Sequence, residues 1–133
     1  MKAVGSYIRK YPLSLVAVVV ILYLSFFKPP KTGLDEITNF DKMVHFSMYF
    51  CFCSVIWVEY IRCHKVCSVP RLLIGTLFLP IAMSGFIELG QEYLTQYRSG
   101  DWWDFACNVG GAVAALCVFM SIFVVKMCRT NNK

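Results

Sequence analysis

The chain has 133 residues, of which 58% are hydrophobic and 16% charged, and a formal charge of +5. A soluble domain averages about 25% charged residues. Here the apolar residues run on without helical amphipathicity, which excludes a water-soluble fold and implies segments solvated by lipid. The Lys and Arg excess sits in short segments between apolar runs, where it sets topology, so no nucleic-acid partner is expected.

Four segments approach the roughly 20 apolar residues that a spanning helix needs. The first covers residues 11–27, with Pro12 in the first turn, where proline is tolerated. Lys2, Arg9 and Lys10 precede it as in a signal peptide, but no small-x-small cleavage site follows, so an uncleaved signal anchor is expected. The second covers residues 41–61, the third 71–93 and the fourth 101–126. Pro80 should disturb the middle of the third. Continuous rather than alternating runs exclude a β-barrel. The expected fold class is an all-α membrane protein of about four transmembrane helices, forming a single domain over residues 1–133.

The positive-inside rule orients these spans. Nine of the 13 bases fall in the N-terminal segment, the middle loop and the tail. Both termini are therefore expected in the cytoplasm, with the first and third loops outside. Tyr93, Tyr97, Trp102 and Trp103 would lie at the outer border, where aromatic rings suit the headgroup zone. On the fourth helix, Cys107, Gly111 and Ala115 recur every four residues, as do Gly110 and Ala114. Such a stripe permits close helix approach, either inside the bundle or in a homo-oligomer. The seven cysteines are odd in number and mostly lie within apolar runs, so no disulfide framework is expected. Glu59 is expected to pair with Arg62 at i+3.

The polar residues inside the spans are not scattered. The second helix starts Asp41-Lys42-Met43-Val44-His45, with Tyr49 one turn on. The third ends with Glu88, Gln91 and Glu92. The loop supplies Arg98, and the fourth helix starts with Asp101, Asp104 and Asn108. The topology delivers all three groups to the outer face. Asp41, Asp101 and Asp104 have an ordinary explanation as anions in first helical turns, where the helix dipole favours them. His45 and Asn108, one turn deeper, have none. Nor does Glu88, at a helix C-terminal end where the dipole disfavours it.

His45 beside carboxylates can be a packed histidine, a proton-transfer group or a metal ligand. No ligand pair has zinc-motif spacing, so no metal or other cofactor is expected, with His45, Glu88 and Asp104 the candidates were one to bind. Cys63-His64-Lys65-Val66-Cys67 is a weak ligand signal.

Phe40-Asp41-Lys42-Met43-Val44-His45-Phe46 followed by Tyr49 resembles the first motif of the VanZ-like family of bacterial membrane proteins. Glu88-Leu89-Gly90-Gln91, then Arg98, Asp101, Asp104, Asn108 and Gly111, resembles its second. The likeness covers roughly residues 40–115. It implies a multi-pass protein of the bacterial cytoplasmic (inner) membrane whose shared polar site comprises Asp41, Lys42, His45, Glu88, Gln91, Arg98, Asp101, Asp104 and Asn108. The founding member is associated with teicoplanin resistance, a role that similarity of site and fold does not transfer.

Two functions are therefore expected to compete. In the first, the outer site binds an anionic headgroup of a membrane lipid or a lipid-linked envelope precursor. Lys42 and Arg98 would meet the anion, with His45, Glu88, Gln91, Asp101, Asp104 and Asn108 around it, and binding would modulate the envelope or glycopeptide susceptibility. In the second, the chain is a membrane-embedded hydrolase or transferase acting on a lipid-linked or phosphate-bearing substrate. Its catalytic candidates are His45, Glu88, Asp41 and Asp104. An ion pathway is not expected, because the inner halves of the helices are apolar. A purely structural cluster that locks the helices together is the plainest alternative.

Overall fold

In the computed structural model the described residues are 8–27, 39–64, 68–94 and 100–131, with side chains described to residue 123. Besides a helical stretch at residues 8–10, they form four helices and no strand: α1 (Pro12–Phe26), α2 (Phe40–Cys63), α3 (Val69–Leu94) and α4 (Trp102–Asn131). Three are long and apolar enough to cross a membrane: Phe40–Cys63, Val69–Leu94 and the Trp102–Phe123 part of α4. α1 is apolar but shorter, at 15 residues.

The local sequence accounts for the helix ends. Pro12 stands at the start of α1, where its missing N–H costs nothing. Asn39 precedes α2 in the left-handed conformation (φ 66°), which Asn tolerates better than most residues. α3 contains one π-helical turn, Ile74–Phe78, which ends two residues before Pro80. A proline ring clashes with the carbonyl four residues back in a regular helix, and the widened turn lies where that carbonyl would be. Thr76 Oγ1 donates to the Leu72 carbonyl at 2.8 Å within this irregular stretch.

Packing is tightest between α2 and α4. A side chain at Gly111 would run into the Phe46 carbonyl and come within 2.9 Å of the Phe50 backbone nitrogen. The two backbones therefore touch at a point that only glycine permits. Just beyond it, Ala112 and Ala115 bury against Cys53. The Gly111/Ala115 stripe is thus used inside the bundle. A second cluster joins Ile21 of α1, Tyr49 and Phe52 of α2 and Ile87 of α3. A third, of Trp57, Tyr60 and Leu72, closes the opposite end, with Phe119 stacked on Trp57 at 5.6 Å.

Glu59 departs from expectation. It does not pair with Arg62, which is exposed. Its carboxylate is buried and accepts from the Leu13 N–H at 2.8 Å, the Ser14 N–H at 3.0 Å and the Ser14 hydroxyl. Leu13 and Ser14 lie in the first turn of α1, whose donors have no partner within the helix. Tyr11, at the N-cap position, offers no side-chain cap, so a carboxylate from α2 supplies the acceptors. The i+3 pairing would leave Glu59 in solvent, worth a few tenths of a kcal/mol, whereas three charge-assisted hydrogen bonds are stronger.

Cys51, Cys53, Cys63, Cys107 and Cys117 are free thiols, so no disulfide forms among these described residues. Tyr93, Trp102 and Trp103 are exposed, as suits rings in a headgroup zone. Tyr97 lies outside the described residues.

Candidate functional site at the polar end of the bundle

The start of α2, the end of α3 and the start of α4 meet at one end of the bundle. His45 is 5% exposed and Asn108 2%. His45 Nδ1 lies 3.2 Å from Asn108 Oδ1. Asn108 Nδ2 donates to Ser84 Oγ at 2.8 Å. An amide nitrogen can only donate, so the Ser84 bond turns Asn108 Oδ1 towards the imidazole, and His45 Nδ1 must be the donor of that pair. The chain Ser84–Asn108–His45 thus runs through all three helices and fixes the ring in one orientation.

The other ring nitrogen faces carboxylates. His45 Nε2 is 3.5 Å from Asp104 Oδ2 and 3.9 Å from Asp41 Oδ1. Asp41 reaches it from one turn away on the same helix face. The Lys42 ammonium bridges to α4, at 3.6 Å from Asp101 and 3.7 Å from Asp104 Oδ1. Lys42 and Asp101 are partly exposed and form the mouth, while Asp104 is buried behind them.

Asp101 also caps α4, accepting from the Trp103 N–H at 2.9 Å. Glu88 explains itself here. It ends α3 but accepts the Asp101 N–H at 3.1 Å, at the N-terminus of α4, where a helix dipole welcomes a carboxylate. Glu92 accepts the Gly100 N–H at 2.9 Å. A side chain at Gly100 would come within 2.6 Å of the Glu88 carbonyl. The strand of chain entering α4 is therefore pinned against α3.

Of the expected site residues, Asp41, Lys42, His45, Asp101, Asp104 and Asn108 form one connected cluster, and Glu88 adjoins it through the Asp101 backbone. Gln91 donates to the Ser25 carbonyl at 2.8 Å and so ties the end of α1 to α3. Arg98 lies outside the described residues. Ser84 was not singled out, although it precedes Glu88 by four residues and so shares its face. Tyr49 sits a turn below His45, with its hydroxyl towards Ser84 and Glu88.

Asp41, His45 and Asp104 can each offer a ligand atom to a metal ion, and Glu88 is not in that group. His64, the other histidine, stacks on Tyr60 at 4.4 Å at the opposite end. Lys65, Val66 and Cys67 lie outside the described residues. A cleft of about 850 Å³ opens at that opposite end between α1, α2 and α3, and its lining includes none of the cluster.

The VanZ/LLP1 model matches residues 6–125. The chain belongs to the VanZ/LLP1 family. No curated protein and no solved structure matches it. The family match extends well beyond the two motifs and takes in α1. In this VanZ/LLP1 protein the described residues Asp41, Lys42 and His45 of the first motif, on α2, and Asp101, Asp104 and Asn108 of the second, at the start of α4, are therefore neighbours in space.

Proposed function

We propose that the polar end of this VanZ/LLP1 protein binds the headgroup of a membrane-borne amphiphile, an envelope lipid or a lipid-linked precursor. The observation that carries this reading is the buried Ser84–Asn108–His45 chain opening onto Lys42 and Asp101 at the mouth. Burying that many polar groups among apolar helices costs several kcal/mol unless each is satisfied, and polar groups at membrane depth mark ligand sites by default. Lys42 is the ammonium that meets an anionic headgroup, and the exposed Trp102 and Trp103 hold the site at the border.

The proposal includes a fourth crossing by α1. Glu59 holds its first turn and Gln91 its last, so it runs the depth of the bundle between the two ends. The excess of bases at the Arg9, Arg62 and Arg71 end supports a cytoplasmic location for that end in a bacterial inner membrane, with the polar site outside. Altered envelope or glycopeptide susceptibility would follow from occupancy of the outer site.

The enzyme reading keeps one specific support. His45 is held by Asn108 on one nitrogen and faces Asp104 on the other, the arrangement of an oriented general acid/base. Turnover of a phosphate-bearing lipid that survives His45→Ala would remove it.

The binding reading is tested in nanodiscs. Anionic phospholipid should raise the melting temperature above that in zwitterionic lipid, and Lys42→Ala should abolish the difference. An equal difference in both proteins would contradict it.

A further inference from the structure

The cleft between α1, α2 and α3 lies at the end away from the polar cluster. Its volume of about 850 Å³ falls within the roughly 300–1,000 Å³ usual for small-molecule sites. Val18, Phe52, Ile56, Leu79 and Met83 give it an apolar floor, and Tyr60, His64 and Arg71 a polar rim. Arg71 and Met83 are 12 residues apart on α3, or about 18 Å at 1.5 Å per residue. Half of a hydrocarbon layer of roughly 30 Å is about 15 Å. The cleft is therefore about as deep as one leaflet.

The π turn shapes its wall. Ile74, Gly75 and Thr76 belong to that turn and line the cleft. Nothing lies within 4 Å of the point where a Cβ on Gly75 would stand, so the wall recedes there. π turns recur at functional sites. The hydroxyls of the lining are already used: Thr76 donates to the Leu72 carbonyl, Ser14 to Glu59, and Tyr60 bonds the Ser68 backbone. Recognition of a polar head falls to Arg71 and His64.

These two groups have complementary chemistry. Arg71 is exposed, and among the described residues no carboxylate pairs with it. Glu59, the described carboxylate of this end, is taken up by Leu13 and Ser14. A guanidinium is a planar fork suited to phosphate. Lys65, next to His64 in the chain, lies outside the described residues, and a further base favours a phosphate in the same sense as Arg71. The His64 ring stacks on Tyr60 at 4.4 Å, and its Nδ1 lies 3.1 Å from the Tyr60 carbonyl. A carbonyl oxygen only accepts, so Nδ1 is the donor and the neutral ring keeps Nε2 as an acceptor.

We infer that this cleft binds a zwitterionic phospholipid bearing a primary ammonium, with its phosphate on Arg71, its ammonium on His64 Nε2 and one acyl chain along the apolar floor. Gly75 leaves the chain its room. This is a second lipid site, at the other end of the bundle from Lys42, and it does not rest on the headgroup reading above. The two ends select differently. The Lys42 end takes an anionic head, whereas His64 Nε2 needs an N–H donor, which an ethanolamine head supplies and a choline head does not.

The test adds phosphatidylethanolamine or phosphatidylcholine to the delipidated, detergent-purified full chain and counts bound lipid by native mass spectrometry. The native chain should hold phosphatidylethanolamine about tenfold more tightly, as one hydrogen bond to a charged group implies. Gly75→Phe places a ring in open space, so it should keep the native melting temperature and lose most of the bound phosphatidylethanolamine. Arg71→Ala should weaken both lipids about tenfold. His64→Phe keeps a ring on Tyr60 but has no Nε2, and should bring the two lipids to equal affinity. Equal affinity of the native chain for both lipids would overturn the inference. So would native affinity for phosphatidylethanolamine in Gly75→Phe or in Arg71→Ala. Arg71→Ala, at an exposed position, decides the case if Gly75→Phe lowers the melting temperature.

Discussion

His45 Nδ1 and Asn108 Oδ1 meet at 3.2 Å across 63 residues of sequence, inside a bundle where neither is exposed to water. The pair gives the polar cluster a defined geometry, because Asn108 is itself held by Ser84. Removing one partner leaves the others buried and unsatisfied, which costs about 1–3 kcal/mol. Asn108→Ala should therefore lower the melting temperature measurably in detergent. In a double-mutant cycle His45→Ala and Asn108→Ala should couple by about 0.5–3 kcal/mol. Strict additivity would mean that the two side chains do not interact.

Gly111 presses against the backbone of α2 at Phe46 and Phe50, whereas Gly110 meets only the Phe46 ring, at 3.5 Å. Gly111→Ala should destabilise by about 1–3 kcal/mol, the usual cost of overpacking. Gly110→Ala needs no backbone shift and should stay within about 0.5 kcal/mol. Thermal unfolding of the two variants side by side reads the contrast, and equal losses would contradict this account of the α2–α4 crossing.

Glu59 gives α1 its N-terminal acceptors from another helix. Glu59→Ala should cost about 0.5–2 kcal/mol, the range for loss of a cap. It should also speed hydrogen exchange at the Leu13 and Ser14 amides ahead of the rest of α1. Arg62→Ala should do neither. If Arg62→Ala matched Glu59→Ala, the i+3 pair would be the real partnership.

Ser84→Ala tests the outermost link of the buried chain. It should cost about 1–3 kcal/mol by leaving the Asn108 amide nitrogen without an acceptor. Ser84→Thr, which keeps the hydroxyl, should recover part of it. A neutral Ser84→Ala would show that the amide is not held as described.

Much of this was legible from the residues. Long apolar runs marked the helices because lipid-facing segments need no amphipathic pattern. Asp41, Lys42, His45, Asp104 and Asn108 were recognisable because polar groups one turn inside an apolar helix demand partners, and the topology put them at one depth. Glu88 is anomalous for its own helix in the sequence, but its hydrogen bond depends on the α4 N-terminus lying against it. Glu59 was misassigned for the related reason that a local i+3 partner is visible in a sequence, while the open donors of a distant helix are not. Gln91 reaches a backbone carbonyl, at Ser25, and a backbone acceptor carries no sequence signal. The short α1 and the π turn before Pro80 likewise depend on packing rather than composition.

The central claim is that the polar end holds a lipid headgroup, and native mass spectrometry of the detergent-purified chain tests it most directly. The comparison sets the native sequence beside Lys42→Ala at the site and Arg71→Ala at the far end, all with matched thermal stability. The account predicts a bound anionic lipid that survives in Arg71→Ala and is lost in Lys42→Ala. An anionic lipid lost only in Arg71→Ala, or kept equally in all three proteins, would contradict it.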